Sequence, residues 1–205
     1  METYVEKSGY KVELLICSFI LIISVLLDQL YGGTIFQFSS NITYLLQEYD
    51  LKNVSLFCSY FMFFLLFLYP LVCYVIHNHI ETSLIMLMQI GTIIYFESLL
   101  KLVYTDSRPI FINEDIKEFH CICDYGKPSG HCMMSVAVPL LIISDLNSRF
   151  RISKNLKVLI IFIYLMGVGI ISFSRLYLGE HSINQVILIL DLSRLGFWSL
   201  NFYWT

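Results

Sequence analysis

LKVLIIFIYLMGVGIISF, residues 156–173, is an apolar run in which Lys157 carries the only charge. An α-helix needs about 20 mainly apolar residues to cross the hydrocarbon core of a bilayer. Five more apolar runs occupy residues 12–30, 54–76, 83–104, 132–146 and 183–204. They lack the strict alternation of barrel strands, and only helices and closed barrels span lipid. The sequence therefore predicts an all-α, polytopic transmembrane bundle of about six helices.

The last run is the weakest of the six, because Asp191 and Arg194 interrupt it. Each charge at mid-bilayer depth costs about 3 kcal/mol, although side chains three residues apart can pair on one helix face. We therefore expect the C-terminal helix, which stops after Trp204 and Thr205, to be incomplete or divergent. The chain shows no internal repeat or linker, and we expect a single domain over residues 1–205.

Composition supports a membrane protein. Of the 205 residues, 57% are hydrophobic and 14% are charged, whereas soluble domains average about 25% charged residues. Mean hydropathy is +0.71. The formal net charge of −3, without a basic stripe, argues against nucleic acid as a partner.

Orientation follows from the basic residues between the fourth and fifth runs, which are Arg149, Arg151, Lys154 and Lys157. The positive-inside rule places them in the cytosol. The predicted loops 31–53 and 105–131 then lie on the lumenal or extracellular side. Two sequons, which begin at Asn41 and Asn53, fall on that same side.

Polar residues of an unusual kind gather on this second side. Lys101 lies near the end of the third run, Arg108 follows that run, and Arg175 follows the fifth. Arginine suits bidentate recognition of phosphate oxygens. Ser129 and Gly130 precede the fourth helix, where free backbone N–H groups attract phosphate. The pattern predicts an anion site at the helix ends.

Two histidines, His131 and His181, accompany these groups. Imidazole side chains can serve as nucleophile and as general acid. No carboxylate or cysteine cluster in the set suggests a catalytic metal, so we expect neither metal nor cofactor.

The same residues resemble a known signature. The patterns Lys101-x6-Arg108-Pro109, Pro128-Ser129-Gly130-His131 and Ser174-Arg175-x5-His181 are similar to the three motifs of the type 2 phosphatidate phosphatase/haloperoxidase superfamily. The resemblance implies that His181 attacks phosphorus to form phosphohistidine, and that His131 protonates the leaving group and then activates water. It implies that the phosphoryl oxygens are held by Lys101, Arg108, Ser129, Gly130 and Arg175.

Gln185 departs from the family pattern, which usually has Asp at this position; the glucose-6-phosphatase branch has Gln. Residues four apart share a face of a helix. We therefore expect Gln185 to contact His181 and to orient its ring.

The resemblance implies a metal-independent phosphatase at the non-cytosolic membrane face. Its expected substrate is a lipid phosphate, such as phosphatidate, lysophosphatidate or a sphingoid base phosphate. One alternative is glucose 6-phosphate or an isoprenoid diphosphate; another is an inactive, lipid-binding member of the family. We expect the endoplasmic reticulum, with the plasma membrane as alternative, and make no prediction of oligomeric state.

Overall fold

The computed structural model describes residues 2–75, 80–119, 123–150 and 152–187, and all regular secondary structure in these ranges is helical. The helices are α1 (Glu2–Leu46), α2 (Lys52–Val75), α3 (Ile80–Tyr104), α4 (Pro109–Ile112), α5 (Gly130–Arg149) and α6 (Lys154–Tyr177), followed by a helical segment at residues 183–187. The predicted all-α bundle is confirmed. Most of the sixth predicted run, with Asp191 and Arg194, lies outside the described residues.

Four segments of the described chain are long and apolar enough to cross a membrane: Ser18–Leu46, Ile80–Ile112, Gly130–Arg149 and Lys154–Tyr177. Large apolar side chains cover the outer faces of the helices, among them Met88, Leu102 and Phe162. Apolar exposure on this scale is unstable in water and favourable in lipid. The chain is an integral membrane protein.

Helix α5 forms the centre of the bundle and packs against α2, α3 and α6. Its residues 132–138 are all buried, and most of them share a core with Ile90, Ile93 and Ile171. A central helix contacts protein on most sides and little lipid, which explains why its apolar run is short.

Helix α1 extends farther than predicted, because residues 31–46 are helical instead of forming a loop. Asp28 forms an ion pair with Lys127, and Gln47 Nε2 donates to Tyr177 O at 3.0 Å. Asp28 and Gln47, the residue that directly follows α1, are about 28 Å apart along a straight helix. Both contacts lie where α5 begins and α6 ends, so this part of α1 crosses that end of the bundle.

The part of α1 that the sequence did not predict, together with the residue after it, has a row of buried polar side chains. Ser39, Ser40, Thr43 and Gln47 are all buried, and their spacing places them on one helix face. Thr43 Oγ1 donates to Leu176 O at 3.1 Å. The sequon at Asn41 therefore lies inside a helix with its Thr buried, and the sequon at Asn53 lies inside α2. Neither sequon supports the orientation.

The opposite end of the bundle is held by a buried carboxylate on α5. Asp145 Oδ2 accepts a hydrogen bond from Tyr69 on α2 at 2.7 Å and pairs with Arg149 Nε at 2.8 Å. Arg149 Nη2 donates to Thr82 on α3 at 2.6 Å. The polar cluster joins three helices far from the predicted anion site.

Candidate active site

The first motif is placed by the end of α3. Lys101 lies in the last turn of this helix, and Thr105 ends it with a positive φ of 47°, the left-handed conformation that terminates many helices. Arg108 then precedes Pro109, the first residue of α4. Arg108 is turned back into the protein and is 2% exposed.

The second motif forms the start of α5. Ser129 is the N-cap residue and makes no side-chain capping bond, and Gly130 begins the helix. The first backbone N–H groups of a helix have no partner within it and carry a partial positive charge. A Cβ at Gly130 would overlap the carboxylate of Glu97 on α3. Glycine thus permits a close approach of α5 to α3.

The third motif follows α6. Arg175, in its last turn, donates from Nη1 to Ser59 Oγ on α2 at 3.0 Å. Gly179 has a φ of +72°, and a Cβ there would lie 2.6 Å from Ile116. This turn needs glycine, and it brings His181 back beneath Arg108.

One hydrogen-bond acceptor and one hydrogen-bond donor fix the tautomer of His181. Its Nδ1 lies 2.7 Å from Gly126 O, and its Nε2 lies 3.3 Å from Arg108 Nη1. A carbonyl oxygen can only accept and a guanidinium can only donate. The proton therefore resides on Nδ1, and the lone pair of Nε2 faces the guanidinium of Arg108.

The charge state of His181 agrees with this tautomer. Burial is the main cause that lowers its pKa well below the usual value, and the charges of Arg108 and Arg175 lower it further. The hydrogen bond to Gly126 acts in the opposite direction. The imidazole is neutral at physiological pH, as a nucleophile must be.

Each cation that the sequence predicts to bind phosphate has a carboxylate beside it. Lys101 Nζ lies 2.7 Å from Glu97 Oε1 and 2.5 Å from Asp124 Oδ2. Asp124 also pairs with Arg108, and buried Glu180 pairs with Arg175. Buried cations need such partners because unpaired buried charge is costly. Asp124 and Glu180 are not among the residues that the three motifs specify. The signal in the sequence that could have pointed to them is that the buried cations of the motifs need acidic partners.

Burial by itself would raise the pKa of Asp124. The hydrogen bond from Lys101 and the charge of Arg108 outweigh it and hold this pKa below its usual range. Asp124 is therefore a charged carboxylate at neutral pH.

Two of the predicted phosphate-binding residues carry buried polar atoms that make no hydrogen bond to the described part of the chain. They are Ser129 Oγ and Arg175 Nε. Buried polar groups are normally satisfied, and a phosphoryl group bound here would offer acceptor oxygens to both.

Gln185 does not form the expected hydrogen bond to the His181 ring, whose two nitrogens face Gly126 O and Arg108 Nη1. Gln185 Oε1 accepts from Ser182 N at 3.1 Å, and Nε2 donates to Ser107 O at 2.9 Å. The helical segment begins at residue 183, after His181, so the two residues do not share a helix face. The backbone carbonyl of Gly126 takes the orienting position.

Gln185 still supports the site, through that glycine. A Cβ at Gly126 would lie 2.7 Å from Gln185 Oε1, so the amide packs directly against the backbone that holds His181. Lys127, next to Gly126, pairs with Asp28. Helix α1 thereby fixes the same loop from the other side.

All the motif residues predicted from the sequence meet at one end of the bundle. Three cations, a helix N-terminus and a neutral imidazole surround a place where a phosphoryl group can bind. His131, the second residue of α5, is near enough for its charge to lower the pKa of His181. The arrangement can bind an anion and attack it with Nε2 of His181.

The chain is similar to a known protein family in sequence and to a solved structure in fold. The sequence profile of the PAP2 superfamily matches residues 81–204. The fold is similar to the crystal structure of the first transmembrane PAP2 type phosphatidylglycerolphosphate phosphatase from Bacillus subtilis, with a TM-score of 0.73, 22% identity and 94% of each chain covered. No curated protein sequence matches the chain.

Proposed function

This chain belongs to the PAP2 superfamily, and we propose that it is a metal-independent phosphatase that hydrolyses the phosphomonoester of a membrane lipid. The observation that carries the proposal is the neutral His181, whose Nε2 faces Arg108 inside a cluster of cations. A lone-pair nitrogen beside an anion-binding guanidinium suits attack on phosphorus.

In the first step, His181 Nε2 forms a bond to phosphorus, and the bond from phosphorus to the alcohol oxygen breaks. His131 gives a proton to the departing alkoxide. In the second step His131 takes a proton from water, the hydroxide displaces the imidazole, and inorganic phosphate leaves. The sum is ester plus water to alcohol plus phosphate, with both histidines restored.

Transition-state charge falls on the phosphoryl oxygens. Lys101, Arg108 and Arg175 supply the opposing charge, and the Ser129 hydroxyl and the backbone at Gly130 donate hydrogen bonds. Preorganised donors of this kind make a large contribution to catalysis.

A lipid substrate is favoured by an apolar cavity of about 660 Å³ between α2, α5 and α6. Its lining includes Phe57, Cys58 and Ile171. Cys58 adjoins Ser59, the partner of Arg175. An acyl chain in the cavity would thus lie beside the phosphate-binding residues.

One assay separates the substrate classes. Purified protein in detergent with EDTA is given phosphatidate, lysophosphatidate, a sphingoid base phosphate, phosphatidylglycerolphosphate, glucose 6-phosphate and an isoprenoid diphosphate. We expect phosphate release from a lipid monoester, inhibition by vanadate and loss of activity in His181→Ala. Preference for the sugar phosphate or the diphosphate would replace the lipid assignment. No release from any substrate would favour an inactive, lipid-binding protein.

The covalent intermediate has its own test. Brief reaction with a ³²P-labelled substrate should label the wild-type protein at an acid-labile, base-stable site and leave His181→Ala unlabelled. Acid-stable label on Ser or another residue would contradict the nucleophile assignment.

We place the active site on the lumenal or extracellular side, in the endoplasmic reticulum or the plasma membrane, because the basic residues around 149–157 mark the opposite end as cytosolic. Single cysteines replacing Glu118 and Asn155, both exposed, should react with an impermeant maleimide from opposite sides of sealed vesicles. Labelling of both from the same side would overturn this orientation.

A further inference from the structure

Every donor of Arg108 is already engaged. Its Nε donates to Asp124 O at 3.0 Å. Its Nη1 faces Glu180 O at 3.0 Å and His181 Nε2 at 3.3 Å. Its Nη2 bonds the Asp124 carboxylate and, at 3.3 Å, Tyr125 O. A guanidinium has five N–H groups, so a phosphoryl oxygen reaches Arg108 only by displacing an acceptor.

The acceptors differ in how readily they can leave. Three are backbone carbonyls, fixed by the chain, and the fourth is the imidazole nitrogen that attacks phosphorus. The fifth is the carboxylate of Asp124, whose side chain is 44% exposed while that of Arg108 is 3% exposed. Rotation of the Asp124 side chain alone would break its contact with Arg108.

The same carboxylate blocks a second phosphate-binding group. Asp124 Oδ2 lies 2.5 Å from Lys101 Nζ while Oδ1 contacts Arg108. Two carboxylate oxygens on two cations reproduce the contacts that two phosphoryl oxygens would make.

We propose that Asp124 is a built-in competitor for the phosphate site, which must release Arg108 and Lys101 before a phosphate can bind. The proposal rests on the phosphatase function for its kinetic part only. Asp124 lowers the affinity for every phosphate ligand by a common factor, because it reduces the fraction of protein with a vacated site. It therefore weakens binding of the product phosphate along with that of the substrate.

Asp124→Asn tests the proposal, since it keeps the size of the side chain and removes its charge. We expect Kd for inorganic phosphate, measured by calorimetry, to fall about 3- to 10-fold, the gain from removing a competitor that holds the site for most of the time. The vanadate inhibition constant should fall by the same factor, and kcat/KM should rise by it.

Asp106→Asn is the matched control. Asp106 belongs to the same end of the protein and lies 3.5 Å from Lys127 Nζ, but it does not bridge the two phosphate-binding cations. It should leave phosphate affinity nearly unchanged. Asp124→Glu retains the charge and should retain weak binding, and Asp124→Ser should match Asp124→Asn.

Weaker phosphate binding and a lower kcat/KM in Asp124→Asn would show that Asp124 instead positions Lys101 and Arg108, and would overturn the proposal. An equal gain in Asp106→Asn would also overturn it, because a general change of field would then explain the effect. Phosphate binding can be measured by calorimetry even if no ester is hydrolysed. Failure of the proposed function is therefore distinguishable from failure of this proposal.

Discussion

At the scale of single residues, the tautomer of His181, the proposed nucleophile, depends on one hydrogen-bond acceptor and one hydrogen-bond donor. Gly126 contributes a backbone oxygen and Arg108 a side-chain donor. Neither carries a negative charge, so no carboxylate beside the ring raises its pKa. Because protonation of Nε2 would block attack, activity should decline only as pH falls through this lowered pKa, below the usual histidine value of about 6.5.

Gln185→Leu should lower both stability and rate without moving that acidic limb. The change leaves Ser182 N and Ser107 O unpaired, at a cost of about 1–3 kcal/mol for each buried group. The loop that carries Gly126 also loses its support, and we expect kcat to fall about 10- to 100-fold, as for loss of an outer partner that orients a functional group. Thermal unfolding in detergent and the pH profile of kcat/KM provide the measurements.

Ile187→Ala, in the same helical segment and 48% exposed, is the control and should change neither quantity. A shifted acidic limb in Gln185→Leu would indicate that the amide does influence the ring of His181.

At the scale of helices, the proposed phosphate site is assembled where the end of α3, the start of α5 and the end of α6 meet. The approach of α5 to α3 is set by Gly130, over which the carboxylate of Glu97 lies. Glu97 in turn pairs with Lys101. Because Gly130 has no side chain, Glu97 can lie against the start of α5 and pair with Lys101. The position of α5 is therefore coupled to the position of Lys101.

Gly130→Ala should therefore impair phosphate binding while leaving the protein folded. The methyl group would displace Glu97 and, with it, the ammonium group of Lys101, and we expect kcat/KM to fall about 10-fold or more, since a misplacement of about 1 Å in a catalytic site can cost up to about 100-fold. Steady-state kinetics and phosphate calorimetry measure the change.

Gly91→Ala is the comparison within α3, because a Cβ there meets nothing within 4 Å. This variant should be as active as wild type and slightly more stable, since alanine is favoured over glycine in a helix interior by about 0.5–1 kcal/mol. Equal losses in both variants would contradict the role given to Gly130.

At the scale of the whole molecule, the two ends of the bundle use charge differently. The end with the proposed active site contains three cations, each paired with a carboxylate that a ligand would have to compete with. The opposite end contains Asp145, whose contacts with Tyr69 and Arg149 are all structural. Function and stability should therefore respond to separate sets of substitutions.

Asp145→Ala should destabilise the bundle and spare catalysis. It removes the acceptor for Tyr69 and the partner of Arg149, and we expect a loss of about 1–3 kcal/mol from the groups left unpaired. Thermal unfolding should shift downward while KM stays unchanged at temperatures where the variant is folded. Asn147→Ala, exposed on the same helix, should behave as wild type, and a changed KM in Asp145→Ala would show that the two ends are coupled.

The sequence by itself determined the helical membrane class of the fold, the family and the motif residues. Bilayer thickness sets a length that apolar runs such as residues 156–173 reveal directly. Lys101, Arg108, His131 and His181 stand out because charged and titratable groups are rare in such runs. The family match over residues 81–204 confirms that resemblance.

Only the tertiary structure decided what surrounds those residues. Asp124 and Glu180 become counterions, Gly126 O becomes the partner of His181, and helix α1 crosses the catalytic end because loops and helix ends return to the same place in space. Sequence spacing predicted that Gln185 would touch His181, but spacing is informative only within one continuous helix. His181 lies before that helix begins, and the path of the backbone therefore decided the contact.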